Sequence, residues 1–177
     1  MAMATAKAFT PCALVMGVLS TAADRHSELL SVLEKDFGPV LRESSHIEFS
    51  FTDYYDSEMG ARPDRFLLLF ENTVDPERLA DIKTRTNEIE MLFADGKGNR
   101  KINLDPGILS LSSFILATCK DRSHRIPLRN GIYAETTLIY QNRDFQRLPW
   151  TYADYSSDEV RSVLREFRSA YKEMLVK

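Results

Sequence analysis

Two uninterrupted apolar runs most constrain the fold: residues 12–19, Cys-Ala-Leu-Val-Met-Gly-Val-Leu, and residues 66–70, Phe-Leu-Leu-Leu-Phe. Both are too short and too apolar for surface helices, and both read as strands, the first of them buried. Lys7 ahead of the first run gives it a passing likeness to a signal peptide. The run sits at the lower limit of such a segment and Pro11 opens it, so a buried first strand is the expectation. It also falls short of the ~18 apolar residues that a membrane span needs.

Between and beyond these runs the periodicity changes. A helix is expected from about residues 21–24, with Leu29, Leu30, Leu33 and Phe37 at helical spacing and Gly38-Pro39 as its stop. A strand is expected over 47–55, where Ile47, Phe49 and Phe51 alternate with polar residues, and a third over 65–71. Asp75-Pro76-Glu77 marks the start of a second helix, with Asp75 as cap and Pro76 in the first turn, where its missing N–H is not needed. Its stripe is Leu79, Ile82, Ile89, Leu92 and Phe93, and Gly96 is expected to end it.

Further strands are expected over 101–104 and 114–118, followed by a hairpin of 126–128 and 132–141. Asn130-Gly131 suits the positive φ of its tight turn. Ser156-x-x-Glu159 reads as a capping box for a last helix striped by Val160, Val163, Leu164, Phe167, Tyr171, Met174 and Leu175.

The order is therefore an α+β, ferredoxin-like split β-α-β-β-α-β core with a mainly antiparallel sheet covered on one face by helices. Extra strands, a hairpin and a C-terminal helix extend it. At 177 residues one domain over 1–177 is expected, with 1–10 as a flexible N-terminus; a chain this long buries roughly two-thirds of its unfolded surface without a staple. Only Cys12 and Cys119 occur, which gives no disulfide framework and points to a reducing cytoplasm.

A formal net charge of −3 argues against a nucleic-acid partner, and nothing indicates a membrane. The charge is unevenly spread: residues 100–147 carry eight Lys and Arg against four Asp and Glu, leaving fifteen against twenty-two elsewhere. A local basic surplus suits an anionic ligand and is equally the pattern of a solvated face.

Familiar phosphate loops are absent, since Gly96-Lys97-Gly98 lacks the Lys-Ser/Thr ending. His26, His46 and His124 look too scattered for a zinc site. Five polar, aromatic-rich segments remain. Asp53, Asp56 and Glu58, with Tyr54 and Tyr55 among them, put three carboxylates within six positions, enough for acid–base work or a hard cation such as Mg²⁺, or for a solvated turn. Asn103 and Asp105 would share a strand face, although Asp105-Pro106-Gly107 has the composition of a turn.

Lys120, Arg122 and Arg125 surround His124, a set suited to a phosphate or carboxylate with a proton-transfer group beside it. Glu135, mid-strand beside Tyr133 and Thr137, would need a cationic partner if enclosed. Trp150, Tyr152 and Tyr155 either dock the last helix or stack on a planar ligand.

These segments resemble, as a set, an uncharacterised prokaryotic domain-of-unknown-function family, family 4416. Its patterns are Thr-x-Tyr-Tyr-x-x-Glu-Met-Gly, Asn-x-Asp-Pro-Gly-Tyr, Lys-Asp-x-x-His-Arg-Ile-Tyr-Leu, Gly-Ile-Tyr-Ala-Glu-x-Thr-Leu and Trp-Thr-Tyr-Pro-Asp-Tyr. They stand here at 52–60, 103–108, 120–128, 131–138 and 150–155. Ile108 and Pro127 replace tyrosines of the pattern and Ala153 replaces a proline, so those tyrosine hydroxyls take no part in this chain.

The resemblance implies no settled activity. The residues themselves suggest a domain that binds or acts on a small anionic metabolite, a nucleotide among the candidates. Lys120, Arg122 and Arg125 would hold the anion, and Asp53, Glu58, His124 and Glu135 would handle protons. The alternative is an interaction module whose polar motifs stabilise the fold. RNA binding on an open sheet is a third reading.

Overall fold

The computed structural model describes residues 4–51, 56–60 and 62–176. Among them nine strands form one sheet: β1 (Cys12–Ser20), β2 (Val40–Glu43), β3 (Ile47–Glu48), β4 (Asp64–Val74), β5 (Ile102–Leu109), β6 (Ser113–Thr118), β7 (Ile126–Pro127), β8 (Tyr133–Gln141) and β9 (Asp144–Arg147). The helices are α1 (His26–Phe37), α2 (Asp56–Met59), α3 (Leu79–Leu92), α4 (Ala153–Ser156) and α5 (Asp158–Met174).

The sheet runs β2-β4-β1-β5-β6-β8-β7, with β3 beside β4 and β9 beside β8, and every pairing is antiparallel. The expected α+β architecture with an antiparallel sheet and a C-terminal helix is what the chain adopts. β1 lies between β4 and β5, so the crossovers through α1 and α3 each skip one strand.

Alternation along the central strands explains the layering. Leu14, Met16 and Val18 of β1, with Phe66, Leu68 and Phe70 of β4, face Leu29 and Leu33 of α1 and Ile82 and Ile89 of α3. Ala13 and Val15, with Leu67 and Leu69, face Val160, Leu164 and Phe167 of α5. β1 and β4 thus carry helices against both faces, not the one face expected, because α5 returns over the side that α1 and α3 leave open, and their sequences are apolar without interruption for that reason.

Several expected boundaries move. Of the strand expected over 47–55, the described residues 47–51 hold strand only at Ile47–Glu48, and β2 precedes it unannounced; β2 pairs its backbone to the edge of β4 while most of its side chains point to solvent, so it carries no hydrophobic alternation. The Asp53, Tyr54 and Tyr55 expectations fall outside the described residues. Asp75 caps as expected, its carboxylate accepting from the Glu77 N–H at 2.9 Å, but it caps a 3₁₀ turn over Pro76–Arg78 that leads into α3, and Leu92 is exposed. α3 ends before Gly96, and the left-handed residue in the following turn is Gly98. α5 is capped by Ser157, which accepts from the Val160 N–H at 3.3 Å, because Ser156 belongs to the separate turn α4 that buries Tyr155.

The largest correction is at Asp105-Pro106-Gly107, which is strand and not turn. Leu104 directs its N–H and C=O away from β1, toward side chains of α3. Two residues on, Pro106 has the same orientation, so its missing N–H costs no bond to β1. Gly107 is needed for close approach: a Cβ there would lie 2.7 Å from the Phe114 ring and 3.0 Å from the Ile115 carbonyl oxygen.

Gly17 on β1 answers a similar demand. A Cβ there would land on the Tyr155 hydroxyl and 3.0 Å from Arg65 Nη1, and both side chains are buried. Gly17→Ala is expected to cost about 1–3 kcal/mol through overpacking. Thermal melts would show this as a lower Tm, and an unchanged Tm would mean that the Tyr155 ring moves aside freely.

Candidate functional site

β5 and β6 pair only where Gly107, Ile108 and Leu109 meet Leu116, Ile115 and Phe114. Beyond that short ladder they part, and a cleft of about 660 Å³ opens between them. What lets β5 leave its neighbour is a substitute for the missing strand. Lys83 Nζ donates to the Leu104 carbonyl at 2.7 Å, and Glu90 Oε1 accepts from the Leu104 N–H at 2.7 Å. Both come from α3, so two side chains satisfy the backbone groups that a partner strand would otherwise have met.

The first polar cluster is built on Glu135, mid-β8 and 1% exposed. Its Oε2 accepts from Arg125 Nε at 2.7 Å and from His124 Nε2 at 2.8 Å. Arg125 is therefore the cation Glu135 needed, and it also donates to the Lys120 carbonyl at 2.7 Å and the Tyr152 hydroxyl at 2.8 Å. Burial disfavours its charge, but Glu135 and Tyr152 outweigh that and raise its pKa. The His124 ring stacks on Trp150 at 4.8 Å, and Trp150 is itself held by donation to the Thr136 carbonyl at 2.8 Å.

Assigned from this network, His124 carries its proton on Nε2, which leaves Nδ1 as the basic nitrogen. Nδ1 has no hydrogen-bond partner among the described residues, and neither has the buried Glu135 Oε1.

The second cluster centres on Arg65. Nη1 donates to Asp105 Oδ2 at 3.1 Å and Nη2 to Asp154 Oδ2 at 2.7 Å. Asn103 Nδ2 donates to the other oxygen of Asp105 at 3.0 Å. Burial works against the guanidinium charge, yet Tyr155, Asp154 and Asp105 together raise its pKa. Burial pushes the Asp154 carboxyl up; Arg65 pulls it down and Asp105 adds like-charge repulsion, leaving it raised.

The third cluster forms the rim. Arg100 grips both oxygens of Glu58 at 2.7 and 2.9 Å and reaches Glu90 at 2.9 Å. Its hydrogen bonds hold the Glu58 carboxyl below the usual carboxylate range. With both oxygens engaged by one guanidinium, Glu58 is a poor ligand for Mg²⁺.

Of the residues singled out in the sequence, Asn103, Asp105, Lys120, Arg122, His124, Arg125, Glu135 and Trp150 all line this one cleft. Glu58 reaches it only through Arg100, and Tyr133 is not part of the lining. Asp53, Tyr54 and Tyr55 lie outside the described residues. Sequence reasoning missed Arg65, Lys83 and Glu90, and gave no role to Arg100 and Asp154, which stand within two of the segments singled out. A signal existed for some: Arg65 shares a strand face with Leu67 and Leu69, and Lys83 and Glu90 each follow an apolar-stripe residue of α3.

A family model described as Domain of unknown function (DUF4416) matches residues 10–171. The chain belongs to this family. The match runs from just before β1 into the last turn of α5, so DUF4416 takes in the whole cleft. The two positions where a tyrosine of the pattern is replaced are structural here: Ile108 is buried in β5, and Pro127 lies in the two-residue strand β7. No curated protein and no solved structure matches the chain.

Two outcomes test the electrostatics. Arg125→Met leaves Glu135 buried without its guanidinium and is expected to cost about 3–5 kcal/mol, most of it recovered in the double variant Arg125→Met/Glu135→Leu. Urea unfolding would check this; equal losses in the two variants would contradict it. Glu58, with its lowered pKa, contributes stability above about pH 4.3, the ordinary glutamate value. That contribution is lost as acid titrates it through its depressed value. Glu58→Gln should therefore flatten this part of the acid-unfolding profile, and superimposable profiles would count against it.

Proposed function

We propose that the cleft binds a small anionic metabolite, phosphate- or carboxylate-bearing, and that His124 moves a proton on it. The observation that carries this reading is the charge of the walls. Six Lys and Arg side chains (65, 83, 100, 120, 122, 125) line the cleft against three carboxylates (105, 135, 154). The volume is that of a small-molecule site, commonly some 300–1,000 Å³, and is large enough for a nucleotide-sized ligand.

The cations divide by role. Arg65, Arg100 and Arg125 are each committed to carboxylates and serve to position the walls. Arg122 has no carboxylate partner among the described residues; its one side-chain hydrogen bond goes to the Asp121 carbonyl. It is the guanidinium best placed to meet an incoming anion. Glu135 orients the His124 ring, Trp150 stacks on it, and Nδ1 keeps its lone pair for the ligand, as a general base requires.

A second reading, an interaction module with a purely structural polar network, draws on the same buried pairs. Arg65–Asp154 and Arg125–Glu135 match buried charge with buried charge without any ligand.

Thermal melts against inorganic phosphate, nucleotides, sugar phosphates and dicarboxylates, each with and without Mg²⁺, separate the two. The anion reading expects a shift with at least one compound. It also expects Arg122→Ala to weaken that binding about tenfold or more, the value of one charge-assisted hydrogen bond, with the unliganded Tm unchanged. His124→Ala should keep the shift and lose any turnover. No shift with any anion would favour the interaction module.

A further inference from the structure

Although His26 and His46 are far apart in sequence, the fold brings them to one carboxylate. His26 opens α1, Glu43 closes β2, and His46 lies just before β3. The antiparallel pairing of β2 and β3 along β4 gathers these ends over Phe66. Both Nε2 atoms converge on Glu43 Oε1, His26 at 3.0 Å and His46 at 2.9 Å. One donor atom from each of the three residues can be chosen so that all lie within 4.8 Å of one another. None of the three lines the cleft.

We propose that His26, Glu43 and His46 form a binding site for a divalent transition metal of the zinc class. Zinc bonds of ~2.0–2.2 Å to nitrogen and oxygen in a tetrahedron place ligand atoms about 3.3 Å apart. The nitrogen–oxygen separations here need only a few tenths of an ångström of adjustment to reach that. Two imidazoles with one carboxylate favour zinc, cobalt or nickel over magnesium and calcium, which prefer oxygen.

The rings are held in place before any metal arrives. His46 stacks flat on Phe66, centroids 4.2 Å apart and planes 4° apart, and His26 meets the same ring edge-on at 5.3 Å. A ring so packed loses little further freedom on ligation. Asp64 Oδ2 lies 3.9 Å from His46 Nδ1, on the side away from the metal-binding nitrogen, where an outer carboxylate fixes the imidazole tautomer of a metal ligand. In the metal-free state the Nε2–H tautomers donate to Glu43, and ligation at Nε2 requires each neutral ring to carry its proton on Nδ1 instead, which in His46 is the nitrogen facing Asp64. Three protein ligands at a partly exposed site leave a fourth position for water, unlike the closed shell of a structural zinc. Bound metal would tie the start of α1 to the edge strands.

Titration of the purified chain with Co²⁺, read by its d–d absorption, tests this. One Co²⁺ per chain, displaced by Zn²⁺, with Zn²⁺ raising Tm, is the expected result. His46→Ala and Glu43→Gln should each weaken Co²⁺ binding at least about tenfold, while Cys119→Ser, which removes the exposed thiol, should leave it unchanged. Circular dichroism confirms that the variants are folded, and His46→Gln repeats the test with a side chain closer in size. Absence of the cobalt spectrum, or a spectrum that survives in His46→Ala and His46→Gln, would overturn the proposal.

Discussion

The cleft depends on how the backbone of Leu104 is satisfied. A strand that leaves its neighbour in a buried setting exposes N–H and C=O groups, each costly to leave unpaired. Here Lys83 and Glu90 reach from α3 to take both groups, at 2.7 Å each. β5 can then stay paired with β1 along its whole length while parting from β6 beyond Gly107. The cavity is thus built into the sheet and not added as a loop excursion. Glu90 also receives Arg100, which in turn clamps Glu58, so the device that opens the sheet also organises one rim.

Burying so many ionisable groups is costly unless each is matched. Arg65 is held between Asp105 and Asp154, and Glu135 is held by Arg125 and His124. The two clusters lie on opposite sides of the gap, one from β4 and β5, the other from β8 and the loop before β7. Gly17 and Gly107 leave room where Tyr155 and Phe114 press against the strands. Each wall is therefore rigid from its own side, and Glu58 and Glu90 behind the lining take up Arg100 and Lys83, which leaves Arg122 as a cleft guanidinium without a carboxylate among the described residues. The match to DUF4416 over residues 10–171 takes in all these parts.

The candidate site was legible in part. His124, Arg125 and Glu135 stand out because a charge in the middle of an alternating strand, or next to a histidine in a basic loop, is out of place in a bland surface. Their convergence follows from the register of β8. Arg65 was not seen and Asp154 was given no role, since an arginine opening an apolar strand and an aspartate before a helix are both ordinary until they turn out to be bonded across 89 residues. His26 and His46 were set aside as scattered for the same reason. Among the described residues no helix is long and apolar enough to cross a membrane, as the short apolar runs imply.

Local chemistry alone determined the buried strands β1 and β4, the Asp75-capped turn that leads into α3, the amphipathic α5 and the tight turn at Asn130-Gly131. In each the deciding interactions lie within a few residues or in a simple period. Tertiary structure decided the rest. It turned Asp105-Pro106-Gly107 from a turn into strand, because β1 supplies a full ladder on one side and α3 leaves the proline's side without need of an N–H. It made β2 a strand by lending it the edge of β4, with no hydrophobic pattern of its own. It also parted β5 from β6, because only the placement of α3 puts Lys83 and Glu90 within reach of Leu104. Propensity and periodicity describe one segment at a time, whereas a cleft between strands is a property of their spacing.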